Sequence, residues 1–121
     1  MNERPTALLP FPDTATVGTG GIELDGVALT DLAAEFGTPL YAYDAASIRQ
    51  RAHAVVDALA TAPHGGHASF ALKSQSALAI LRLLHEQGMG ADCASAGEIA
   101  AAQRAGIPGS GLVIHGNAKS E

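Results

Sequence analysis

Apolar and polar positions along this chain alternate in blocks that predict short strands separated by helices. Four apolar runs, starting near residues 40, 68, 89 and 112, have the length of buried strands. These runs are Leu40–Tyr43, Ala68–Leu72, Met89–Ala94 and Leu112–His115. A strand–helix–strand order with short loops predicts an α/β fold with a parallel sheet and right-handed crossovers.

Three segments between these strands carry apolar residues at helical spacing. The residues predicted to cap their amino-terminal ends are Asp44, Ser76 and Ser95. The glycines predicted to end the second and third helices are Gly88 and Gly106. Ser95 and Glu98 also match a capping box, in which each side chain accepts a hydrogen bond from the other residue's free amide.

The amino-terminal part of the chain predicts a different kind of structure. Residues 1–21 hold three of the six prolines and end in a glycine-rich run, which favours an extended arm or loop. Ile22–Asp25 alternates apolar and polar residues and is predicted as a short edge strand, and Thr30 as the N-cap of a short helix. We therefore divide the chain into residues 1–36 and residues 37–121, where the second part holds the first βα units.

The alternating pattern suits either a doubly wound sheet or the first part of a (β/α)₈ barrel. The chain stops directly after the fourth predicted strand, inside a new loop. Its last strand would present an open hydrogen-bonding edge, and one sheet face would need further strands to cover it. We expect the chain to be the amino-terminal, truncated piece of a larger protein.

Composition narrows the class of protein. With 47% hydrophobic and 16% charged residues, the chain is expected to be globular. A net charge of −5 without a basic patch argues against nucleic acid and anionic membrane partners. No signal peptide or membrane span is predicted. Cys93 is the only cysteine, which excludes an internal disulfide and favours a reducing, cytoplasmic compartment.

Lys73 is the first candidate for chemistry. It directly follows an apolar run and precedes two small polar residues, Ser74 and Gln75, so it is predicted at the carboxyl end of a strand. In α/β folds chemistry collects at these ends, and a lysine there can form a Schiff base with an aldehyde cofactor or a carbonyl substrate. The alternative is a lysine that merely extends from the edge of a core strand into solvent.

The next two predicted strands also end in polar side chains. Asp92 closes one strand, and His115 and Asn117 follow the other, so all three are expected to face the same mouth. Each has a simpler interpretation as an ordinary solvated strand-end residue. Glu98 also has a simpler interpretation, as the capping-box partner of Ser95.

Two histidines flank a glycine pair at residues 64–67. Without a nearby carboxylate or thiolate they are better interpreted as solvated loop residues, and no metal site is predicted.

Four segments in order carry a resemblance to a known family. They are Gly37–Asp44, Phe70–Ser74, Gly90–Glu98 and His115–Ser120. Together they resemble the amino-terminal part of the fold-type III pyridoxal-phosphate decarboxylases, the family that includes diaminopimelate, ornithine and arginine decarboxylases. The resemblance covers about residues 22–121. Within the family, the chain most resembles the diaminopimelate enzymes.

The resemblance implies an alanine-racemase-like (β/α)₈ TIM barrel followed by a β-domain, assembled as a homodimer. It implies pyridoxal 5′-phosphate as cofactor and a small amino acid as substrate. Lys73 would hold the cofactor covalently, with Asp92 and His115 binding it and Glu98 and Asn117 as further site candidates. The family's phosphate loop and ring-contacting residues come from later strands, so we expect the 121-residue piece alone to be inactive.

The implied substrate is meso-diaminopimelate, decarboxylated to L-lysine in lysine biosynthesis. Ser74–Gln75 departs from the Ala-Asn typical of diaminopimelate decarboxylases, and Ala94–Glu98 is closer to the ornithine decarboxylase version. The opening of Gly37–Tyr41 is more similar to the diaminopimelate group. An ornithine/arginine-type or secondary-metabolite decarboxylase, a non-catalytic cofactor-binding barrel, and an inactive fragment remain as alternatives.

Overall fold

The structure, a computed structural model, describes residues 11–116. The chain forms two compact units, the first ending at Ser47 and the second beginning at Ile48. The first unit therefore reaches beyond the predicted boundary at residue 36, into the first turn of the helix that follows Asp44.

The first unit holds a three-stranded antiparallel sheet. Its strands are β1 (Ala15–Gly18), β2 (Gly21–Leu24) and β3 (Val27–Ala28), in the order β1-β2-β3. The strand predicted at Ile22–Asp25 is present as β2, but the prediction that it is an edge strand is wrong. β2 pairs with β1 on one side and with β3 on the other, so it is the central strand. The predicted arm is also wrong for residues 15–18, which form β1.

A tight turn gives β2 its second neighbouring strand. Asp25 and Gly26 join β2 to β3 with φ angles of 49° and 78°. Two consecutive positive φ angles are what a type I′ hairpin requires, and Asp-Gly is a strong sequence signal for this turn. The alternation of apolar and polar residues cannot reveal β3, because this strand is only two residues long.

The short helix α1 (Leu29–Phe36) follows β3 without a loop. Ala28, not Thr30, occupies its N-cap position, and no side chain caps the helix. The prediction for Thr30 is wrong because β3 runs directly into the helix and places this threonine inside the first turn. Gly37 ends α1 with a φ of 79°, and its amide donates to the carbonyl of Ala33 at 2.9 Å.

The predicted strand at Leu40–Tyr43 is wrong. These residues have irregular backbone, and Tyr41 is 88% exposed. A strand needs a hydrogen-bonded neighbour, and neither described sheet includes this segment in its register.

The helix that follows has Asp44 as its N-cap residue. Asp44 is buried and its Oδ1 accepts from the amide of Ala46 at 2.9 Å, as expected of an N-cap residue. Its other oxygen accepts from the hydroxyl of Thr14. Burial alone would raise the pKa of Asp44, but hydrogen bonds from Thr14, Ala46 and Ser47 outweigh it, and the pKa lies below its ordinary value of 3.8.

The second unit contains the predicted α/β alternation. Its parallel sheet has the order β4-β5-β6. The strands are β4 (Ser69–Ala71), β5 (Gly90–Cys93) and β6 (Leu112–Ile114). The helices are α2 (Ala45–Ala60, which starts in the first unit), α3 (Leu78–Glu86) and α4 (Ala96–Ala105). All three strands are shorter than predicted.

The helix ends agree with the sequence in part. Gly106 ends α4 in the left-handed conformation, with a φ of 97°. Ser76 does not cap α3, because the helix begins two residues later at Leu78 with Ala77 at the N-cap. The side-chain carbonyl of Gln75 accepts from the amide of Ala77 at 2.9 Å, while no side chain caps the helix itself.

One face of the parallel sheet is buried. Ala91 and Cys93 of β5 are fully inaccessible and pack in one cluster with Leu72, Leu81 and Ala102. A second cluster joins α2 to α3 through Ala52, Ile80 and Leu84. Because side chains alternate across a sheet, the register row Ala71, Asp92 and Val113 lies on the opposite face, which we call the open face.

Candidate functional site

The carboxyl ends of the three parallel strands are level with one another. Ala71 pairs with Asp92, and Asp92 with Val113. The ladder continues past the strand ends, since the amide of Leu72 donates to the carbonyl of Asp92 and that of His115 to the carbonyl of Cys93, both at 3.0 Å. The candidate residues of three chain segments therefore meet at one end of the sheet.

Lys73 lies two residues beyond Ala71, the last residue of β4, and is exposed. The buried Leu72 anchors the chain just before it. The hydroxyl of Ser74 donates to the carbonyl of Ala71 at 2.7 Å, and the amide of Gln75 donates to the carbonyl of Leu72 at 3.1 Å. The turn thus fixes the backbone of Lys73 and leaves its amine accessible.

The contribution of Ser74 was not predicted. A serine just past a strand end is a signal for a side-chain-stabilised turn, and this signal was available in the sequence.

Asp92 and His115 form the closest contact at this end of the sheet. Nδ1 of His115 lies 2.6 Å from Oδ1 of Asp92. The side chain of Asp92 is 28% exposed and that of His115 49% exposed. Sequence reasoning predicted both residues at this mouth but not their pairing. The pairing follows from the register, because His115 lies two residues beyond Val113, the partner of Asp92.

Glu98 caps α4 in a modified form of the predicted box. Oγ of Ser95 accepts from the amide of Glu98 at 3.2 Å, as predicted. The carboxylate of Glu98, however, accepts from the amide of Ala94 at 2.6 Å rather than from that of Ser95. Ala94 directly follows the last residue of β5, and Glu98 supplies the acceptor for its amide. Glu98 therefore ties the end of β5 to the start of α4.

Cys93 lies beneath this end of the sheet and has no accessible surface. Burial, and after it the negative charges of Glu98 and Asp92, raise the pKa of the Cys93 thiol. The thiol therefore stays protonated at neutral pH, and its place is in the core.

The remaining candidates lie outside this cluster. Asn117 is outside the described residues. His67 and His85 line a shallow cavity of about 220 Å³ at the opposite, amino-terminal end of the sheet. Within residues 11–116, no group of three or more His, Cys, Asp or Glu residues is arranged to hold a metal ion. No helix in that same range has the length and apolar character needed to cross a bilayer.

Comparison with known proteins identifies the family. Residues 45–121 match the family model described as pyridoxal-dependent decarboxylase, pyridoxal binding domain. The chain belongs to this family. The α/β fold expected from the sequence, the first part of an alanine-racemase-like (β/α)₈ barrel, is confirmed.

Individual relatives agree with this assignment. The chain is 40% identical over 101 residues to diaminopimelate decarboxylase of Bacillus subtilis, which covers 84% of this chain and 23% of the relative. It is 35% identical over 114 residues to the same enzyme of Zymomonas mobilis, covering 93% and 26%. The crystal structure of diaminopimelate decarboxylase from M. jannaschii matches with a TM-score of 0.77 and 31% identity, covering 89% of this chain and 26% of that chain. The chain thus spans about a quarter of the length of the relatives it matches.

The residues at the strand ends fit the cofactor that the family name implies, pyridoxal phosphate. Its aldehyde requires an accessible primary amine, which Lys73 provides. The Asp92–His115 pair supplies polar groups at the same end of the sheet. When bound, the cofactor supplies an electron sink for the carbanion left by a departing carboxylate.

Proposed function

We propose that the gene product containing this chain is a pyridoxal-phosphate-dependent decarboxylase that converts meso-diaminopimelate to L-lysine and CO₂. The observation that carries the proposal is the accessible Lys73 directly beyond β4, at the sheet end where Asp92 and His115 pair. The substrate is supported by the relatives, which are named diaminopimelate decarboxylases at 34–40% identity. The matching enzyme from M. jannaschii was also solved with L-lysine, the product of this reaction.

Each residue of the site has a proposed role. Nζ of Lys73 forms the covalent bond that holds the cofactor, while the turn closed by Ser74 keeps its backbone in place. Asp92 and His115 contact the cofactor or lie directly beside it. Glu98 keeps the end of β5 and the start of α4 together, so that Asp92 stays level with Lys73. Asn117 is proposed as a further residue of this mouth on the sequence resemblance alone.

The finer properties of the whole protein are proposals of the same kind. We propose a homodimer located in the cytoplasm. The single cysteine, buried in the sheet, is compatible with a reducing compartment. Size-exclusion chromatography with light scattering of the full gene product tests the dimer, and a mass corresponding to one chain would contradict it.

One observation favours a second substrate class. The run Ala94–Glu98 is more similar to the ornithine decarboxylase version than to the diaminopimelate version. Ornithine and arginine are therefore the competing substrates that the assay must include.

The test is a substrate comparison on the full gene product loaded with pyridoxal phosphate. CO₂ release is measured with meso-diaminopimelate, L-ornithine and L-arginine at equal concentration, and the amine product is identified by mass spectrometry. We expect L-lysine from meso-diaminopimelate and at most trace turnover of the others. The matched control is Lys73→Arg, which keeps the positive charge but has no amine able to bond the cofactor. Preferred release from ornithine or arginine, or activity retained in Lys73→Arg, would contradict the proposal.

A further inference from the structure

We propose that His115 is a positioning residue, which donates from Nδ1 to hold the Asp92 carboxylate in the one orientation that serves the cofactor. This inference rests on the proposed function, since it concerns the same end of the sheet. It assigns His115 an action through Asp92 rather than a contact of its own with the cofactor.

The two backbones are fixed independently of the side-chain contact. Asp92 is inside β5, paired with Ala71 on one side and Val113 on the other. His115 follows β6, and its amide donates to the carbonyl of Cys93 at 3.0 Å. With both main chains held by the sheet, the remaining freedom lies in the side-chain rotamers.

The hydrogen bond removes that freedom. A carboxylate that is 28% exposed can otherwise turn between rotamers in contact with water. The 2.6 Å contact between Nδ1 and Oδ1 lies at the short limit of hydrogen bonds to a charged acceptor, which are stronger than neutral ones. It fixes one oxygen of Asp92 and leaves the second oxygen free of this contact.

The same contact engages one nitrogen of the His115 ring. An ionised carboxylate only accepts hydrogen bonds, so Nδ1 must carry a proton to make this contact. Nδ1 is thus engaged by Asp92 and is not available to the cofactor.

A helical pair provides a matched comparison. Nδ1 of His53 lies 2.9 Å from Oδ2 of Asp57 on α2, with both side chains more than 60% exposed. Exposed pairs of this kind contribute little to stability. His53→Leu breaks the same kind of histidine–aspartate contact away from the candidate site, so it controls for the loss of such a pair.

The experiment measures the dissociation constant of pyridoxal phosphate for the full gene product. His115→Leu removes the donor at similar volume, and His115→Asn keeps an N–H donor near the place of Nδ1. We expect His115→Leu to weaken binding about tenfold, the size of one hydrogen bond to a charged group. We expect His115→Asn to recover binding to within about threefold, and His53→Leu to leave it unchanged. Circular dichroism melting establishes that each variant is folded.

A double variant decides whether the effect passes through Asp92. With Asp92→Asn already present, His115→Leu should weaken binding no further, because the carboxylate it positions is gone. A second readout uses the cofactor-free protein. Its ¹⁵N spectrum should show a protonated Nδ1 for His115, and the fraction of His115 protonated at Nδ1 should fall in Asp92→Asn.

Three outcomes would overturn the inference: equal weakening by the Leu and Asn variants, an undiminished effect of His115→Leu in the Asp92→Asn background, or an unprotonated Nδ1. These outcomes differ from failure of the proposed function. Because the readout is cofactor binding, a protein that binds pyridoxal phosphate with the expected variant pattern but releases no CO₂ supports the positioning role and refutes the decarboxylase. Wild-type protein that binds no pyridoxal phosphate refutes both.

Discussion

Ala71 and Asp92 stand opposite each other in the parallel register of β4 and β5. This pairing sets the carboxyl ends of the two strands level, so that Lys73, two residues past Ala71, emerges at the same end of the sheet as the Asp92 carboxylate. The position of both groups thus depends on the register between strands, and features that hold the register also hold the site.

Gly90 is one such feature, because it brings β5 close to the segment before β6. A Cβ atom at Gly90 would lie 2.5 Å from the carbonyl oxygen of Gly111 and 3.2 Å from Oγ of Ser69. We expect Gly90→Ala to lower the free energy of unfolding by about 1–3 kcal/mol, since backbone must move to admit the methyl group. Urea unfolding of the full gene product measures this. The control is Gly109→Ala, where a Cβ meets no atom within 4 Å; equal destabilisation by both variants would refute the explanation.

The cap of α4 provides a test that separates structure from chemistry at Glu98. Ser95→Ala removes the acceptor for the Glu98 amide and should cost about 1 kcal/mol of unfolding free energy. Glu98→Gln keeps a side-chain oxygen for the Ala94 amide and should cost less. If Glu98 acts only as a cap, Glu98→Gln leaves the dissociation constant of pyridoxal phosphate unchanged. A clear loss of cofactor affinity at preserved stability would instead assign Glu98 to the site.

Asp44 should make the first unit sensitive to acid. Its folded-state pKa lies below the ordinary value of 3.8, so the unfolded chain takes up a proton first as the pH falls. The stabilisation by the ionised carboxylate is complete well above pH 3.8 and is lost as the pH falls below it, through the folded pKa. We expect the stability advantage over Asp44→Asn, measured by urea unfolding at a series of pH values, to shrink in that window.

Thr14→Val controls this prediction. It removes one donor to the Asp44 carboxylate, so the folded pKa should move back toward 3.8 and the acid-dependent loss should become smaller. An advantage over Asp44→Asn that is independent of pH between 2 and 6 would contradict the account.

The sequence predicted most of the second unit because its signals are local. Apolar runs bounded by glycines mark β4, β5 and β6, and the Ser95–Glu98 spacing marks the start of α4. Lys73, Asp92 and His115 were found for a similar reason, since each lies at or near the end of an apolar run. Strand order in a parallel sheet then brings such ends together.

The features that were not predicted depend on which strands or side chains contact each other, and the pattern of apolar and polar residues does not reveal these contacts. Leu40–Tyr43 has the composition of a strand, but no described strand pairs with it. β3 is too short to have a period, and only the Asp25–Gly26 turn marks it. The Asp92–His115 hydrogen bond joins residues 23 apart in sequence, so it is visible only once the strand register is known.

The central claim is that Lys73 holds the cofactor, and this chain permits a direct test because it contains only two lysines, Lys73 and Lys119. The full gene product is incubated with pyridoxal phosphate, reduced with borohydride to fix the cofactor on its lysine, digested, and mapped by mass spectrometry. We predict a phosphopyridoxyl group on Lys73 and its absence from Lys119 and from any other lysine of the gene product. Labelling of another lysine with Lys73 unmodified would contradict the account.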